Sequence, residues 1–248
     1  AEVEENNLGL KTLNERFARW YTCNLCEQEY HGVVACALGW ACWKTYVGRP
    51  ETDWPRRLAM TDLGNGLCAA KHHEDALTVG EAELSMLRRI GGSEKAMLVT
   101  QSNLASTYAK LGRHEEAVRM QKDVYSGRLK LHGEEHVETI IVASNYATSL
   151  LRAKRFKEAK SVMRKTMPVA RRVLGDSHNL WLKMRRTYAQ TLYHDAAATL
   201  ADLREAVTTL EETARIARRV LGGAHPLTAG LQNSLQSSRA ALRAREGD

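Results

Sequence analysis

The sequence predicts an all-α fold in which pairs of helices stack into a solenoid. The stretch SNLASTYAKLGRHEEAV, which begins at Ser102, returns 42 residues later as SNYATSLLRAKRFKEAK at Ser144. A fixed period of this size is typical of stacked repeats. Leu104, Tyr108 and Leu111 follow roughly the 3.6-residue spacing of a helix. The 248 residues include only four Pro and two Phe, and this composition also favours helices.

The repeated pattern divides most of the chain into helix pairs. Gly112 interrupts the apolar spacing in KLGRHEE and separates the two helices of one unit. Small residues recur at matching positions of paired helices, where a missing side chain lets two backbones approach. They are Gly64 and Ala76, Ala105 and Ala117, Ala147 and Ala159, and Ala189 and Ala206. Because 47 residues rather than 42 separate Ala159 from Ala206, we expect an insertion near 194–201.

The repeats also predict where the array begins and ends. We expect it to occupy residues 51–248, with a separate segment at 1–50. The predicted units are about 56–90, 97–131, 139–174 and 181–221, followed by a capping helix at 226–245. Each unit closes on a similar phrase, as in LKLHGEEH and RRVLGDSH. Since His136, His178 and His225 recur in these phrases directly before a helix, we predict a structural role for them in the turn.

These features resemble the tetratricopeptide repeat (TPR) family, specifically the 42-residue form found in kinesin light chains. The resemblance lies in NLASTYAKLGRHEEA, NYATSLLRAKRFKEA and the closing phrases LHGEEHVET, LGDSHNLWL and LGGAHPLTA, and it covers about residues 56–245. It implies a right-handed α-solenoid that acts as a non-catalytic scaffold or adaptor. A HEAT or armadillo array has a similar period and is the alternative architecture, although the turn at Gly112, His114 and Ala117 favours TPR.

The resemblance also implies a peptide-binding surface, because the first helices of TPR units line the inner face of a curved array. Asn103 and Asn145 match asparagines that contact a peptide backbone in TPR families, and an amide can both donate and accept hydrogen bonds. Lys110, Arg152 and Arg186 would make this surface positive and favour an acidic or extended peptide, or a C-terminal carboxylate. The alternative is that these are solvated residues on a helix face. The predicted set is Ser102, Asn103, Ser106, Lys110, Ser144, Asn145, Thr148, Arg152, Arg186, Gln190 and His194.

Charge and cysteine content suggest the kind of partner and the compartment. The net charge of +7 permits an acidic partner. The arginine pairs at 88–89, 171–172 and 218–219 each precede a closing turn. This position favours an interaction of their charges with the negative end of a helix dipole over a basic stripe that binds nucleic acid. Five cysteines in a helical chain do not describe a disulfide framework, so we expect a reducing, cytoplasmic location. The apolar run GVVACALGWACW at 32–43 is too short to cross a membrane and predicts a buried helix. Cys42 and Cys68 are predicted to be small core residues.

The first 50 residues contain one pattern with metal chemistry. Cys23 and Cys26 have the spacing of a zinc-binding turn, which needs two further ligands. His31 and Cys36 would complete the spacing of a CCHC zinc knuckle, a nucleic-acid-binding module. However, knuckles have glycines where this chain has Glu27 and Tyr30, and Cys36 lies in a run that is predicted to be helical.

A second interpretation rests on RWYTCNLCEQEY, which resembles the end of a RING-variant (RING-CH) zinc domain. The resemblance covers about residues 10–50, and only the last cysteine pair of the expected ligands is present. It implies that the ligands sharing this zinc lie upstream of Ala1. A third interpretation gives the two cysteines no metal role.

The sequence therefore predicts a non-catalytic adaptor that binds a peptide segment of another protein. No Ser/His/Asp or Cys/His set and no glycine-rich phosphate loop indicates an enzyme. One alternative is the substrate-recruiting part of a RING-type ubiquitin ligase, and a second is a CCHC nucleic-acid binder. A membrane or nucleic-acid partner is not expected, and the sequence does not determine the oligomeric state.

Overall fold

The computed structural model describes residues 17–247 and is dominated by helices. Within those residues, ten helices contain 15 or more residues each, and one isolated antiparallel bridge joins Thr22 to Glu29. The helices are α1 (Gly32–Tyr46), α2 (Trp54–Ala69), α3 (His73–Arg89), α4 (Glu94–Lys110), α5 (His114–His132), α6 (Val137–Arg152), α7 (Phe156–Leu174), α8 (Asn179–Tyr193), α9 (Leu200–Leu221) and α10 (Pro226–Glu246). Residues 1–16 of the predicted N-terminal segment lie outside the described range. None of these helices combines the length and hydrophobicity needed to cross a membrane.

The chain forms two compact units whose boundary lies between Arg113 and His114. The first unit contains α1 to α4, and the second contains α5 to α10. The boundary falls between the two helices of the second predicted repeat. In both units, helices that follow one another in sequence are joined by short turns.

The core of the first unit depends on the close approach of α1 and α2. A β-carbon placed on Gly66 of α2 would lie 2.6 Å from the carbonyl oxygen of Ala35, and one on Gly39 of α1 would lie 2.9 Å from that of Asp62. Only glycine fits where two helix backbones meet at these distances. Cys42 is fully buried beside this contact, as predicted.

The outer face of α1 differs from the prediction of a buried helix. The apolar run does form α1, but Val33, Val34 and Trp40 are 76%, 51% and 44% exposed. The reason is that, among the described helices, α1 is covered on the face that meets α2. A run that is apolar all round therefore buries only part of its surface.

The second unit confirms the predicted role of the small residues. Ala147 and Ala159 are fully buried, as are Ala189 and Ala206. Larger apolar side chains fill the remaining space between the helices and form one continuous core. These include Met163, Leu182, Met184, Leu192, Leu210 and Leu231.

The recurring histidines are helix N-caps, which confirms their predicted turn role. Each occupies the residue before a helix, and its Nδ1 accepts a hydrogen bond from the amide two residues later. The pairs are His136 with Glu138 at 3.2 Å, His178 with Leu180 at 3.1 Å, and His225 with Leu227 at 3.1 Å. The imidazole nitrogen thereby performs the capping that the side-chain oxygen of Ser, Thr, Asp or Asn usually performs.

The extra residues of the last predicted repeat lie between α8 and α9. Thr199 caps α9 through a reciprocal pair of hydrogen bonds with Asp202. Asp202 also pairs with Lys160 at 2.5 Å. The ammonium group of Lys160, followed by these hydrogen bonds, lowers the pKa of Asp202 to about 2. The connection between α8 and α9 therefore ends at a capped helix N-terminus.

The histidine caps generate a stability prediction. Replacing His136 by Ala removes the acceptor for the Glu138 amide and should cost about 1 kcal/mol of unfolding free energy in urea titrations. Replacing it by Asn, which restores a side-chain acceptor, should cost much less. The His136 ring also stacks on His132 with a centroid separation of 4.4 Å. Equal destabilisation by Ala and Asn would contradict the cap and indicate that this ring contact dominates.

Candidate functional site

The first unit contains a polar cleft that several predicted binding residues share. α2 and α4 form its sides, and α3 contributes to its floor. Asn103, Ser106 and Lys110 line it from α4, while Asn65 and Cys68 line it from α2. The cleft holds about 210 Å³. Three of the four residues predicted on this helix are therefore neighbours in space.

A second, more apolar cleft of about 360 Å³ extends toward the N-terminal ends of α2 and α4 and the C-terminal end of α3. Trp54 and Leu58 line it from α2, Leu87 from α3 and Val99 from α4. The two clefts share three lining residues: Thr61, Glu83 and Thr100. We call the two clefts together the first-unit groove. It has a polar half that ends at Lys110 and an apolar half that ends near Trp54.

Glu83 lies where the two halves of the groove meet. It is only 6% exposed, and Thr61 donates a hydrogen bond to its carboxylate at 2.5 Å. Burial raises the pKa of Glu83, and the hydroxyl groups of Thr61 and Thr100 and the charge of Arg57 partly oppose this shift. Sequence reasoning missed this residue. The available signal was a carboxylate on the stripe formed by Ala76, Gly80, Glu83 and Leu87 of α3.

Cys68 was predicted to be a core residue, but it lies on the groove wall. It is half-buried, and Lys110 Nζ donates a hydrogen bond to its Sγ at 3.0 Å. His73 Nδ1 and Thr107 Oγ1 each lie 3.8 Å from the same sulfur. The thiol therefore helps to position the lysine at the polar end of the groove. Ser102, the fourth predicted residue of α4, is not among the groove-lining residues.

In the second unit, the predicted residues of α6 fall into two classes. Asn145 and Arg152 are exposed. Ser144 is buried, and its carbonyl oxygen accepts a hydrogen bond from Thr148 at 2.8 Å. Asn145 and Arg152 are seven residues apart, as are Asn103 and Lys110 of α4, so each pair lies on one helix face two turns apart.

Two of the predicted residues on and directly after α8 contact neighbouring helices of the second unit. Arg186 Nε donates a hydrogen bond to Ser234 Oγ of α10 at 2.9 Å. A β-carbon placed on Gly230 of the same helix would lie 2.7 Å from Nη1 of Arg186. The ring of His194 stacks on Phe156, and partial burial lowers the pKa of His194. Gln190 is half-buried on the same helix. Arg186 and His194 thus have structural contacts within this unit.

The candidate zinc cysteines lie on a tight hairpin. The Cys23 amide donates to the Gln28 carbonyl, and the Glu27 amide donates to the Cys23 carbonyl, both at 2.9 Å. Glu27 adopts a positive φ of 56°, so the chain turns tightly where knuckles have glycine. The amides of Cys26 and Leu25 donate to the Cys23 thiol and lower its pKa to about 7. This turn favours a thiolate at Cys23.

The structure does not assemble the CCHC set. Cys36 lies in α1 and packs against the core residues of the first repeat, while Cys23 and Cys26 lie on the hairpin. His31 is the residue before α1. Among residues 17–247, no group of three or more His, Cys, Asp or Glu side chains is arranged to hold a metal ion. The knuckle spacing is therefore misleading, because the helix directs Cys36 toward α2.

The buried carboxyl of Glu83 predicts a specific pH dependence. A folded-state pKa above the ordinary value of 4.5 means that the folded protein retains this proton while the unfolded chain loses it. The contribution of Glu83 to stability should therefore fall as pH rises through 4.5 and stop falling above the raised pKa. Glu83→Gln, which keeps the side-chain shape without ionising, should become increasingly more stable than the parent as the pH rises above the ordinary value of 4.5.

Chemical unfolding at several pH values measures this difference. Glu74→Gln is the matched control, because Glu74 is exposed in the first turn of the same helix. A constant difference between Glu83→Gln and the parent across the range would contradict the raised pKa of Glu83.

Sequence comparison identifies repeats in part of the chain. Residues 56–130 and 96–172 match the model of the tetratricopeptide repeat family. This match favours TPR over the HEAT and armadillo alternatives. The chain matches none of the curated proteins in sequence.

Solved structures show a similar fold over most of the chain. A kinesin light chain-like protein of Podosopora anserina with nearly identical TPR-like repeats gives a TM-score of 0.64 at 19% identity, over 81% of this chain and 91% of that one. BtubC (BKLC) of P. vanneervenii gives 0.64 at 12% identity, over 86% and 88%. A Rap protein complexed with Competence and Sporulation Factor gives 0.51 at 14% identity, over 85% and 58%.

At these identities the likeness concerns the fold alone. The likeness confirms the predicted all-α solenoid class. Residues 56–172 of this chain therefore match tetratricopeptide repeats, and the fold is similar to that of the kinesin light chain-like protein with TPR-like repeats.

Proposed function

We propose that this chain is a non-catalytic scaffold that binds an extended peptide segment of a partner protein in the first-unit groove. The TPR fold is typical of protein–protein interaction scaffolds. The observation that carries the proposal is the shared cleft formed by Asn103, Ser106 and Lys110 beside an apolar continuation. One of the structures of similar fold is a complex, that of the Rap protein with Competence and Sporulation Factor.

Each part of the groove suits a different part of an extended peptide. The Asn103 amide can donate to a peptide carbonyl and accept from a peptide N–H, so it can hold backbone of any sequence. Lys110 supplies a positive charge at the polar end and favours an acidic side chain or a terminal carboxylate. The apolar half, with Leu58 and Val99 both partly exposed, can bury an apolar side chain.

The second unit offers the same two groups on α6. Asn145 and Arg152 repeat the amide and cation of α4 at the same seven-residue spacing, and both are exposed. We therefore propose these two residues as a separate peptide contact within the second unit. Arg186 and His194 are assigned a supporting role, since both contact other helices of the unit.

Peptides selected from a random display library provide the test of the groove. Affinities measured by fluorescence anisotropy should fall by about tenfold or more in Asn103→Leu, because a buried peptide amide would lose its partner. Lys110→Glu should weaken acidic peptides by a similar factor through charge repulsion. Helical circular dichroism should remain unchanged in both variants.

A matched control is Lys44→Glu, which makes the same charge change at an exposed site on α1 outside the groove. It should leave the affinity within about twofold, since a distant surface charge is screened by salt. Unchanged binding in both groove variants would refute the groove assignment. An equal loss in Lys44→Glu and Lys110→Glu would indicate a nonspecific charge effect.

We also propose that Cys23 and Cys26 provide two ligands of a zinc site of the RING-variant type. The hairpin supports this proposal, because its amides favour the thiolate that zinc requires. The remaining ligands would lie outside residues 17–247, given the dispersed positions of His31 and Cys36. The groove would then serve as the substrate-recruiting part of a ubiquitin ligase.

Elemental analysis of the reduced native protein tests the zinc site. Cys26→Ser should remove about one equivalent of zinc per chain, because a four-ligand site that loses a thiolate binds zinc far more weakly. Cys68→Ser is the control, since Cys68 lies on the groove wall away from the hairpin pair. Zinc content that is unaffected by Cys26→Ser would exclude the site.

A further inference from the structure

A separate cleft of about 430 Å³ lies between the cysteine hairpin and α2. The hairpin side contributes the aromatic residues Trp20, Tyr21 and Tyr30, together with His31. The α2 side contributes Asp62. We call this the hairpin cleft. Its aromatic lining residues distinguish it from the polar half of the first-unit groove, which is lined mainly by small and polar residues.

The charge of the hairpin cleft is opposite to that of the whole chain. The chain carries a formal charge of +7. The lining residues of the cleft include the carboxyl groups of Glu29 and Asp62 but no Lys or Arg. A local negative site on a positive protein attracts cations to one place.

The buried carboxyl group of Asp62 is a second, independent observation that points to a cationic ligand. Its Oδ2 is buried and has no hydrogen-bond partner among the described residues. Burial, and then repulsion from Glu83, raises the pKa of Asp62 to about 7. A buried carboxyl oxygen without a partner is costly, and a cationic ligand would supply both a hydrogen-bond donor and a compensating charge.

We propose that the hairpin cleft binds an alkylammonium group, such as the lysine or methylated lysine side chain of a partner protein. Aromatic faces attract ammonium groups through the ring quadrupole, and Trp gives the strongest attraction of the aromatic side chains. Asp62 provides the anion at the α2 side. The ligand is thus opposite in charge to the acidic segment proposed for the first-unit groove.

The hairpin cleft and the first-unit groove are adjacent, but they can be tested separately. Asn65 lines both the hairpin cleft and the polar half of the groove. A single partner with a lysine next to an acidic extended segment could therefore occupy both. The cation site does not depend on the groove, because its own residues, Trp20, Tyr30 and Asp62, lie outside it.

Small lysine derivatives provide the test. The probes are Nα-acetyl-lysine methylamide, its trimethyllysine form and the neutral Nα-acetyl-norleucine methylamide. Binding is followed by the indole N–H signal of Trp20 in ¹⁵N-labelled protein, assigned with Trp20→Phe. We expect saturable millimolar-range shifts with both ammonium probes and none with the norleucine probe. Preference for the trimethyl form would assign the methylated source, and preference for the plain lysine would assign the unmethylated one.

Asp62→Asn should weaken both ammonium probes about fivefold or more, since the charge-assisted contact is lost while the side-chain shape stays. Glu74→Gln, which removes an exposed carboxylate outside the cleft, should have no effect. Lys110→Glu should also leave these affinities unchanged, which separates this site from the first-unit groove. Equal shifts with the norleucine probe, unchanged affinity in Asp62→Asn, or no saturable shift would each overturn the proposal.

Discussion

The close approach of helix backbones at small residues is the constraint on which the rest of the structure depends. A β-carbon on Gly66 would lie only 2.6 Å from the carbonyl oxygen of Ala35. In the second unit, Ala147 and Ala159 are fully buried. A larger side chain at such a position would separate the helices or force neighbouring side chains out of their rotamers. Gly66 also lines the hairpin cleft, and Gly64 and Ala76 line the first-unit groove, so small residues bound both clefts of the first unit.

The same spacing explains how one helix can serve two ligand sites. α2 presents Thr61 and Cys68 to the first-unit groove and Asp62 to the hairpin cleft, with Asn65 lining both. Successive residues of a helix point in directions that differ by about 100°, so adjacent positions such as Thr61 and Asp62 lie on different faces of α2. A short hairpin and α1 on one side of α2, and α4 on the other, are sufficient to produce two clefts of opposite charge.

Buried carboxyl groups are the main electrostatic feature of the first unit. Burial raises the pKa of both Glu83 and Asp62, and the charge of Glu83 adds to the shift of Asp62. Glu83 has hydrogen bonds from Thr61 and Thr100, whereas Oδ2 of Asp62 has none among the described residues. Two acidic groups in one small helical unit lower its stability at neutral pH. A ligand that supplies a positive charge would recover part of this cost.

The sequence by itself determined the helices, their pairing and their caps, because these depend on local spacing and on the 42-residue sequence repeat. It predicted the buried alanines and the turn role of His136, and it placed Asn103, Ser106 and Lys110 on one helix face. Only the tertiary structure decided which faces meet. Glu83 and Cys68 reach the groove, and Cys36 is turned away from the cysteine hairpin, because of contacts between helices. A helical period gives the direction of a side chain but not the identity of the helix opposite it.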